Sequence, residues 1–220
     1  MGEITIAVDG PGSSGKGTVA RRVATALGYQ FVDTGAMYRT VGLYCLRDGV
    51  DVRDEAGATA VARGLRFHFA FRDGALRVEA DGVDVTDAIR AEAVGLAASA
   101  VAVHPGVRGA LLGLQRALGA GGGVVMDGRD IGTVILPDAE LKVYLDASAD
   151  ERARRRWLQH PEQDFATVRE ELVARDAQDA GRATAPLRCA DDAVRIDSTG
   201  LGIDEVVARI VALAHQRRGG

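Results

Sequence analysis

Five short apolar runs punctuate the chain, at residues 4–8, 31–32, 123–126, 141–145 and 193–196, and each is followed at once by an aspartate: Asp9, Asp33, Asp127, Asp146 and Asp197. The runs are continuous rather than alternating, the mark of strands buried on both faces, as in a parallel sheet. Between them apolar residues recur at helical spacing, for example Val19, Ala20, Val23, Ala24 and Leu27 after the first run. Alternation of such strands and helices predicts an α/β fold with a five-stranded parallel sheet. The terminal aspartates put polar groups at the carboxyl edge of the strands, where ligands of such sheets bind.

Residues 65–86 break that rhythm. Leu65, Phe67, Phe69 and Phe71 alternate with Arg66, His68, Ala70 and Arg72, and Asp73-Gly74 and Asp81-Gly82 read as two turns. This predicts a short antiparallel meander inserted into the α/β core. Its phenylalanines suit the buried face of the meander better than a base-stacking platform. Residues 148–183 are charged and helical in pattern, with Arg152, Arg154, Arg155 and Arg156, a break at His160-Pro161-Glu162, and a second helix from Phe165 to Ala180. Such a basic pair reads equally as a cover over a polyphosphate or as a solvated face. Residues 119–123 form a flexible loop into the third strand, and no internal repeat is present.

The chain has 220 residues, 47% of them hydrophobic, enough for one compact domain. Its net charge of −4 argues against coating a nucleic acid. No run of about 18 apolar residues exists, so no membrane span is expected. The first strand starts without a signal-like segment, and the two cysteines, Cys45 and Cys189, form no CxxC pair, so a cytoplasmic protein with free thiols is expected. Of 27 basic residues only two are lysines, Lys16 and Lys142.

The position of Lys16 carries chemistry. The first strand leads into Gly10, Pro11, Gly12, Ser13, Ser14, Gly15, Lys16, Gly17 and Thr18, and a helix follows. Strand, glycine loop, lysine, hydroxyl and helix make a P-loop: the backbone curls so that its N–H groups face phosphate, and the helix N-terminus adds its dipole. A glycine turn that merely starts a helix is the plainer alternative, but the flanking elements and the rarity of lysine favour phosphate. Gly17 stands where the strict pattern has Ser or Thr. Thr18 is therefore expected to reach an inner phosphate, leaving Mg2+ without a direct protein ligand, held by nucleotide and water with Asp127 orienting it through water.

No guanine-reading N-K-x-D sequence and no long apolar strand ending in D-E is present, which counts against a GTPase switch or a transporter-type ATPase. Instead the second strand leads into D-T-G-A-M-Y-R (33–39) and the third into D-G-R-D (127–130). There Arg129 is suited to grip a phosphate with two N–H groups, and Asp130 to accept from an amino group.

With these motifs the sequence resembles the bacterial cytidylate kinases, a branch of the nucleoside monophosphate kinases. The resemblance rests on G-P-G-S-S-G-K-G-T (10–18), D-T-G-A-M-Y-R (33–39), D-G-R-D-I-G-T (127–133) and R-D-x-x-D-x-x-R-x-x-x-P-L (175–187), and it spans essentially the whole chain. It implies a three-layer α/β/α P-loop kinase domain over residues 1–220. The core would be 1–33, 99–147 and 184–220, with a β-containing acceptor-binding insertion at 34–98 and a helical lid at 148–183. It implies transfer of the ATP γ-phosphoryl group to CMP or dCMP, with Lys16, Asp127, Arg129 and Arg182 at the chemistry. Thr34 would touch the cytosine, Arg39 and Arg129 would hold the monophosphate, and Arg108 and Asp130 would read the base edge. Ser99, Arg175 and Asp179 would lie by the ribose, and Arg182 would reach the phosphates as the lid closes. Gln178 stands where some members have a further arginine.

Arg175 and Asp179 also suit an i,i+4 helix pair, and Arg154, Arg155 and Arg156 read equally as phosphate contacts or surface residues. A monomer acting on small molecules, with Mg2+ alongside ATP, is expected, and the acceptor lobe and the lid should move during turnover. Two alternatives remain: a P-loop kinase for another acceptor (UMP or a metabolite), and a non-catalytic nucleotide-binding regulator.

Overall fold

The computed structural model describes residues 2–72 and 75–219. In chain order the elements are β1 (Thr5–Asp9), α1 (Lys16–Leu27), β2 (Gln30–Asp33), α2 (Gly35–Asp48), α3 (Glu55–Gly64), β3 (Phe67–Arg72), β4 (Ala75–Ala80) and β5 (Val83–Asp84). Then come α4 (Glu92–Val101), α5 (Pro105–Gly119), β6 (Val124–Gly128), β7 (Leu141–Asp146), α6 (Ala149–Trp157), α7 (Phe165–Ala180), β8 (Val194–Asp197) and α8 (Ile203–Gly219). Two compact units result: Met1–Phe31 with Gly121–Gly220, and Val32–Ala120.

The parallel sheet expected from the apolar runs has the order β2-β6-β1-β7-β8; β6, β1, β7 and β8 lie in the first unit, and β2 runs across the division after Phe31. Every residue of β1 is buried, as its continuous apolar run requires at the centre of a covered sheet. Its register pairs Thr5 with Val124 and Asp9 with Gly128 on one side, and Ile6 with Leu141 and Asp9 with Tyr144 on the other. Asp146 pairs with Asp197 between β7 and β8. The carboxyl tips of β1 and β6 are therefore level, β7 and β8 end level with each other two residues further on, and the loops that follow all four start from one edge.

Helix α1 turns Val19, Ala20, Val23 and Ala24 onto the sheet, where Val206, Ile210 and Ala214 of α8 join Ile6, Val8, Val143 and Leu145 in one core. Burying a branched side chain there contributes about 1.5–3 kcal/mol, so the anchor of α1, and with it the start of the glycine loop, is firm. Helix α1 ends where Gly28 takes a left-handed conformation and returns its N–H to Ala24.

Helices α6 and α7 pair around a small core of their own, formed by Ala153, Val168, Leu172 and the flank of Trp157. Ser148 caps α6 by accepting from the Glu151 N–H, and Asp164 caps α7 by accepting from the Thr167 N–H. The break expected at 160–162 falls between them.

In the second unit α2 packs on α4 and α3 on α5, around Met37, Tyr38, Val41, Val101, Val107 and Leu111. Ser99–Ala120 belongs to this unit through those helix pairs, whereas the sequence reading had grouped residues from 99 with the core. Strands β3, β4 and β5 form the expected antiparallel meander. The turn expected at Asp73-Gly74 lies outside the described residues. The second turn uses Asp81 and Gly82, both at positive φ (50° and 80°). Phe67 and Phe69 stack 5.6 Å apart and pack half-buried on the unit's core, which is the buried-face reading rather than an exposed stacking platform. Among the described residues no single helix is long and apolar enough to cross a membrane.

Candidate active site

The loop after β1 is shaped by what surrounds it. At Gly10 a Cβ would lie 2.1 Å from the Leu145 carbonyl oxygen, so only glycine lets the chain leave the central strand there. Gly15 sits at φ 88° and Ser13 at φ 58°, so a left-handed residue recurs along the loop, the geometry that turns successive N–H groups to one side. At Gly17 a Cβ would stand 3.3 Å from Oδ2 of Asp127. The residue that departs from the strict motif is thus the one over which the carboxylate at the tip of β6 lies.

Lys16 is buried, and its Nζ donates to the Pro11 carbonyl at 3.1 Å. Burial pushes its pKa down to about 7; Arg129 and Arg175 push the same way, while Asp127 and Asp179 push against them. Thr18 is exposed, as an accessible hydroxyl of the loop must be.

Arg129 donates through Nε to Oδ2 of Asp179 at 2.9 Å and through Nη1 to the Gly128 carbonyl at 3.2 Å. Arg182 donates to the other oxygen of Asp179. Asp179 is nearly inaccessible, and burial alone would raise its pKa. Arg129, Arg182 and Arg175 outweigh that and hold it below the ordinary carboxylate range. One carboxylate therefore clamps two guanidiniums, one following the third-strand motif and one from the end of the helical pair. Lys16, Asp127, Arg129, Arg175, Asp179 and Arg182 thus form one electrostatic cluster beside the loop.

Two residues were not singled out by sequence reasoning. Asp9 was noticed only as a strand-ending aspartate. Its carboxylate accepts from the N–H groups of Ile131 and Gly132, both at 2.8 Å, and so fixes the turn that carries Asp130. Burial raises its pKa to about 6 against those two hydrogen bonds, with the nearby Asp130 adding to the rise. Arg155 is the member of the 154–156 run that meets the loop: its Nη1 donates to the Ser14 carbonyl at 3.1 Å, and its Nη2 to the Ser198 carbonyl at 2.8 Å. Arg154 instead pairs with Glu151 at the surface.

The expected acceptor residues of the second unit have their own geometry. Thr34 is buried at the start of α2, and its carbonyl accepts from the Met37 N–H. Arg39 donates to the Ile89 carbonyl at 3.0 Å and lies against Gly95, where a Cβ would be 3.2 Å from its guanidinium. Ser99 donates to the Gly95 carbonyl at 3.3 Å, so Arg39 and Ser99 meet at the same turn of α4. Arg108 is buried, donates to the Ala102 carbonyl at 3.3 Å and lies 5.5 Å from the centre of the Tyr38 ring. Gly95, an unremarked glycine in the sequence, is what admits the Arg39 side chain.

Among the described residues no group of three His, Cys, Asp or Glu side chains gathers as a metal cage. The carboxylate of Asp127 beside Gly17 is an oxygen ligand of the kind that fits a magnesium ion carried in with nucleotide.

A family model described as cytidylate kinase matches residues 6–216. The chain belongs to the cytidylate kinase family. A cytidylate kinase of Geobacillus kaustophilus is 48% identical over 220 residues, covering 98% of both chains. Those of Enterococcus faecalis and Geobacter sulfurreducens are 46% and 45% identical, covering 98% and 94% of those proteins. A solved structure of an uncharacterized protein from Eubacterium ventriosum covers 97% of this chain and 99% of its own, with a TM-score of 0.53 at 12% identity, a likeness of fold alone. The family and the kinase class expected from the four motifs therefore stand, and the parallel sheet matches the fold expected for them.

Proposed function

We propose that the protein transfers the γ-phosphoryl group of ATP to CMP and dCMP, giving ADP and the cytidine diphosphates, in the cytoplasm and as a monomer. The observation that carries the reading is the cluster of Lys16, Asp127, Arg129, Asp179 and Arg182 beside a glycine loop at the carboxyl tips of β1 and β6. The acceptor is already a phosphate oxygen, so no strong general base is required; an oxygen of CMP attacks the γ-phosphorus and the bond to the ADP oxygen breaks. Catalysis is then positioning and charge stabilisation.

The backbone N–H groups that follow Gly12, from Ser13 to Thr18, and Lys16 hold the donor phosphates. Arg129 and Arg182, kept in place by Asp179, neutralise charge on the transferring group. Magnesium, bound with the nucleotide, would supply further charge neutralisation, and Asp127 is the carboxylate that would hold it. On the acceptor side we assign Arg39 and Arg129 to the monophosphate, Ser99, Arg175 and Asp179 to the ribose, and Thr34, Arg108 and Asp130 to the base. Cytosine offers an amino donor beside N3 and O2 acceptors, which a carboxylate and a guanidinium complement. Uracil opposes O4 and an N3–H to the same pair.

The test is ADP release from Mg·ATP with CMP, dCMP, UMP, AMP and GMP offered separately. Release with CMP and dCMP far above the others is expected. Release led by another monophosphate removes the roles of Arg108 and Asp130, and no acceptor-dependent release removes the kinase reading.

A further inference from the structure

Helix α7 touches the glycine loop through a side chain that none of these roles uses. Asp176 accepts through Oδ1 from the Gly12 N–H at 3.3 Å. Its other oxygen pairs with Nη1 of Arg152, and the same Nη1 donates to the Gly12 carbonyl at 3.1 Å. Arg152 is buried and is itself fixed by donation from Nε to the Ala147 carbonyl at 2.9 Å. The Gly12 peptide groups are thus gripped at the N–H by a carboxylate and at the carbonyl by a guanidinium. Leu172 closes the third side, 3.4 Å from where a Cβ of Gly12 would be. One residue further on, Ser13 holds a left-handed conformation that a residue with a Cβ adopts only when its surroundings impose it.

A phosphate cradle works only if its carbonyls face outward and its amides inward. Arg152 on the Gly12 carbonyl and Arg155 on the Ser14 carbonyl hold two of them outward from α6. A lone carboxylate this close to a polyphosphate site would repel the nucleotide, but the pairing with Arg152 cancels its charge. We propose that Asp176, oriented by Arg152, is a positioning residue for the donor nucleotide. It holds the Gly12 peptide and the strained Ser13 turn so that the following amides are already aimed when ATP arrives.

The inference rests on the reading of the loop as an ATP site, so the test measures Mg·ATP binding by calorimetry with no acceptor present. A chain that binds Mg·ATP but fails the acceptor panel loses the kinase reading and keeps this one. D176A is expected to weaken Mg·ATP binding about tenfold, the scale of one charge-assisted hydrogen bond. D176N, which can still accept from the Gly12 N–H, is expected to weaken it about threefold. The KM for CMP should stay within about twofold in both. R152A, which leaves the carboxylate unpaired beside the phosphates, should weaken ATP binding more than D176A does, and adding D176A to R152A should restore part of that loss. Equal ATP affinity in D176A and the unaltered protein overturns the proposal. So does a parallel loss for ATP and CMP, or a double variant that binds worse than R152A alone. Should D176A not fold, the threefold loss in D176N and a tighter ATP affinity in R152A/D176N than in R152A decide alone.

Discussion

Lys16 is held where its charge is unwelcome until phosphate arrives, and that has a measurable consequence. Burial with Arg129 and Arg175 nearby brings its pKa from 10.5 down to about 7. At pH 8 about nine-tenths of the free protein therefore carries a neutral Lys16 amine. Phosphate oxygens in the loop favour the ammonium, and return of the pKa toward the ordinary lysine range makes binding take up about 0.9 proton at pH 8. The nucleotide's own phosphates, with a last pKa near about 6, are already deprotonated at that pH and contribute little. By linkage, affinity for Mg·ATP should fall by close to tenfold per pH unit above about pH 8. The assay is calorimetric titration in two buffers of different ionisation enthalpy, whose difference in apparent heat reads proton uptake directly. Lys16→Arg, charged at every accessible pH, is the control and should show no uptake. Uptake below about 0.2 proton at pH 8, or the same uptake in the Lys16→Arg variant, would refute the argument that burial rather than phosphate sets the resting charge of this lysine.

Two further predictions follow from the same contacts. Arg129→Ala should lower kcat by about 10²–10³, the scale of one lost transition-state donor, while the melting temperature stays within a few degrees because Asp179 keeps Arg182 as its partner; near-normal turnover would take Arg129 out of the chemistry. Asp9→Asn tests the buried carboxylate. With a folded pKa of about 6 against 3.8 for the ordinary group, native Asp9 binds its proton more tightly than unfolded Asp9, so its contribution is most favourable below about pH 4 and is lost as pH rises through 6. That is a loss of about 2.4 kcal/mol between pH 4 and 7, which the asparagine variant should not show. Denaturant unfolding of both proteins at the two pH values measures it, and a stability difference that does not change with pH would dismiss the burial argument.

What was legible in the sequence had a period or a fixed spacing behind it. Continuous apolar runs that end in aspartate announced parallel strands with their tips at a site. Alternation at 65–71 announced the meander, and the glycine spacing from Gly10 to Lys16 announced the loop. What was not legible depends on which distant residues the fold brings together. Asp179 follows Arg129 by fifty positions, and nothing local tells that it joins Arg129 to Arg182 rather than only pairing along its own helix. Of three consecutive arginines, helical geometry sends Arg155 to Ser14 and Ser198 and leaves Arg154 with Glu151 in solvent, a choice that composition could not make. The packing of residues 99–120 with the second unit has no local mark either: α4 and α5 follow no boundary signal, and their partners α2 and α3 lie dozens of residues earlier.

A site for phosphoryl transfer faces a conflict that the arrangement of carboxylates here resolves. It needs many positive groups to receive two nucleotides, yet cations gathered in a buried cleft repel one another before the phosphates come. Four guanidiniums around the loop have a carboxylate within hydrogen-bond reach: Arg129 and Arg182 share Asp179, Arg152 has Asp176, and Arg155 has Glu151. Arginine cannot shed its proton, so it must be paired. Lysine can, and Lys16, whose described partner is a backbone carbonyl rather than a carboxylate, is the group whose pKa falls. Permanent charges are stored against carboxylates that also aim them, and the one adjustable charge sits in the loop proposed to hold the donor phosphates.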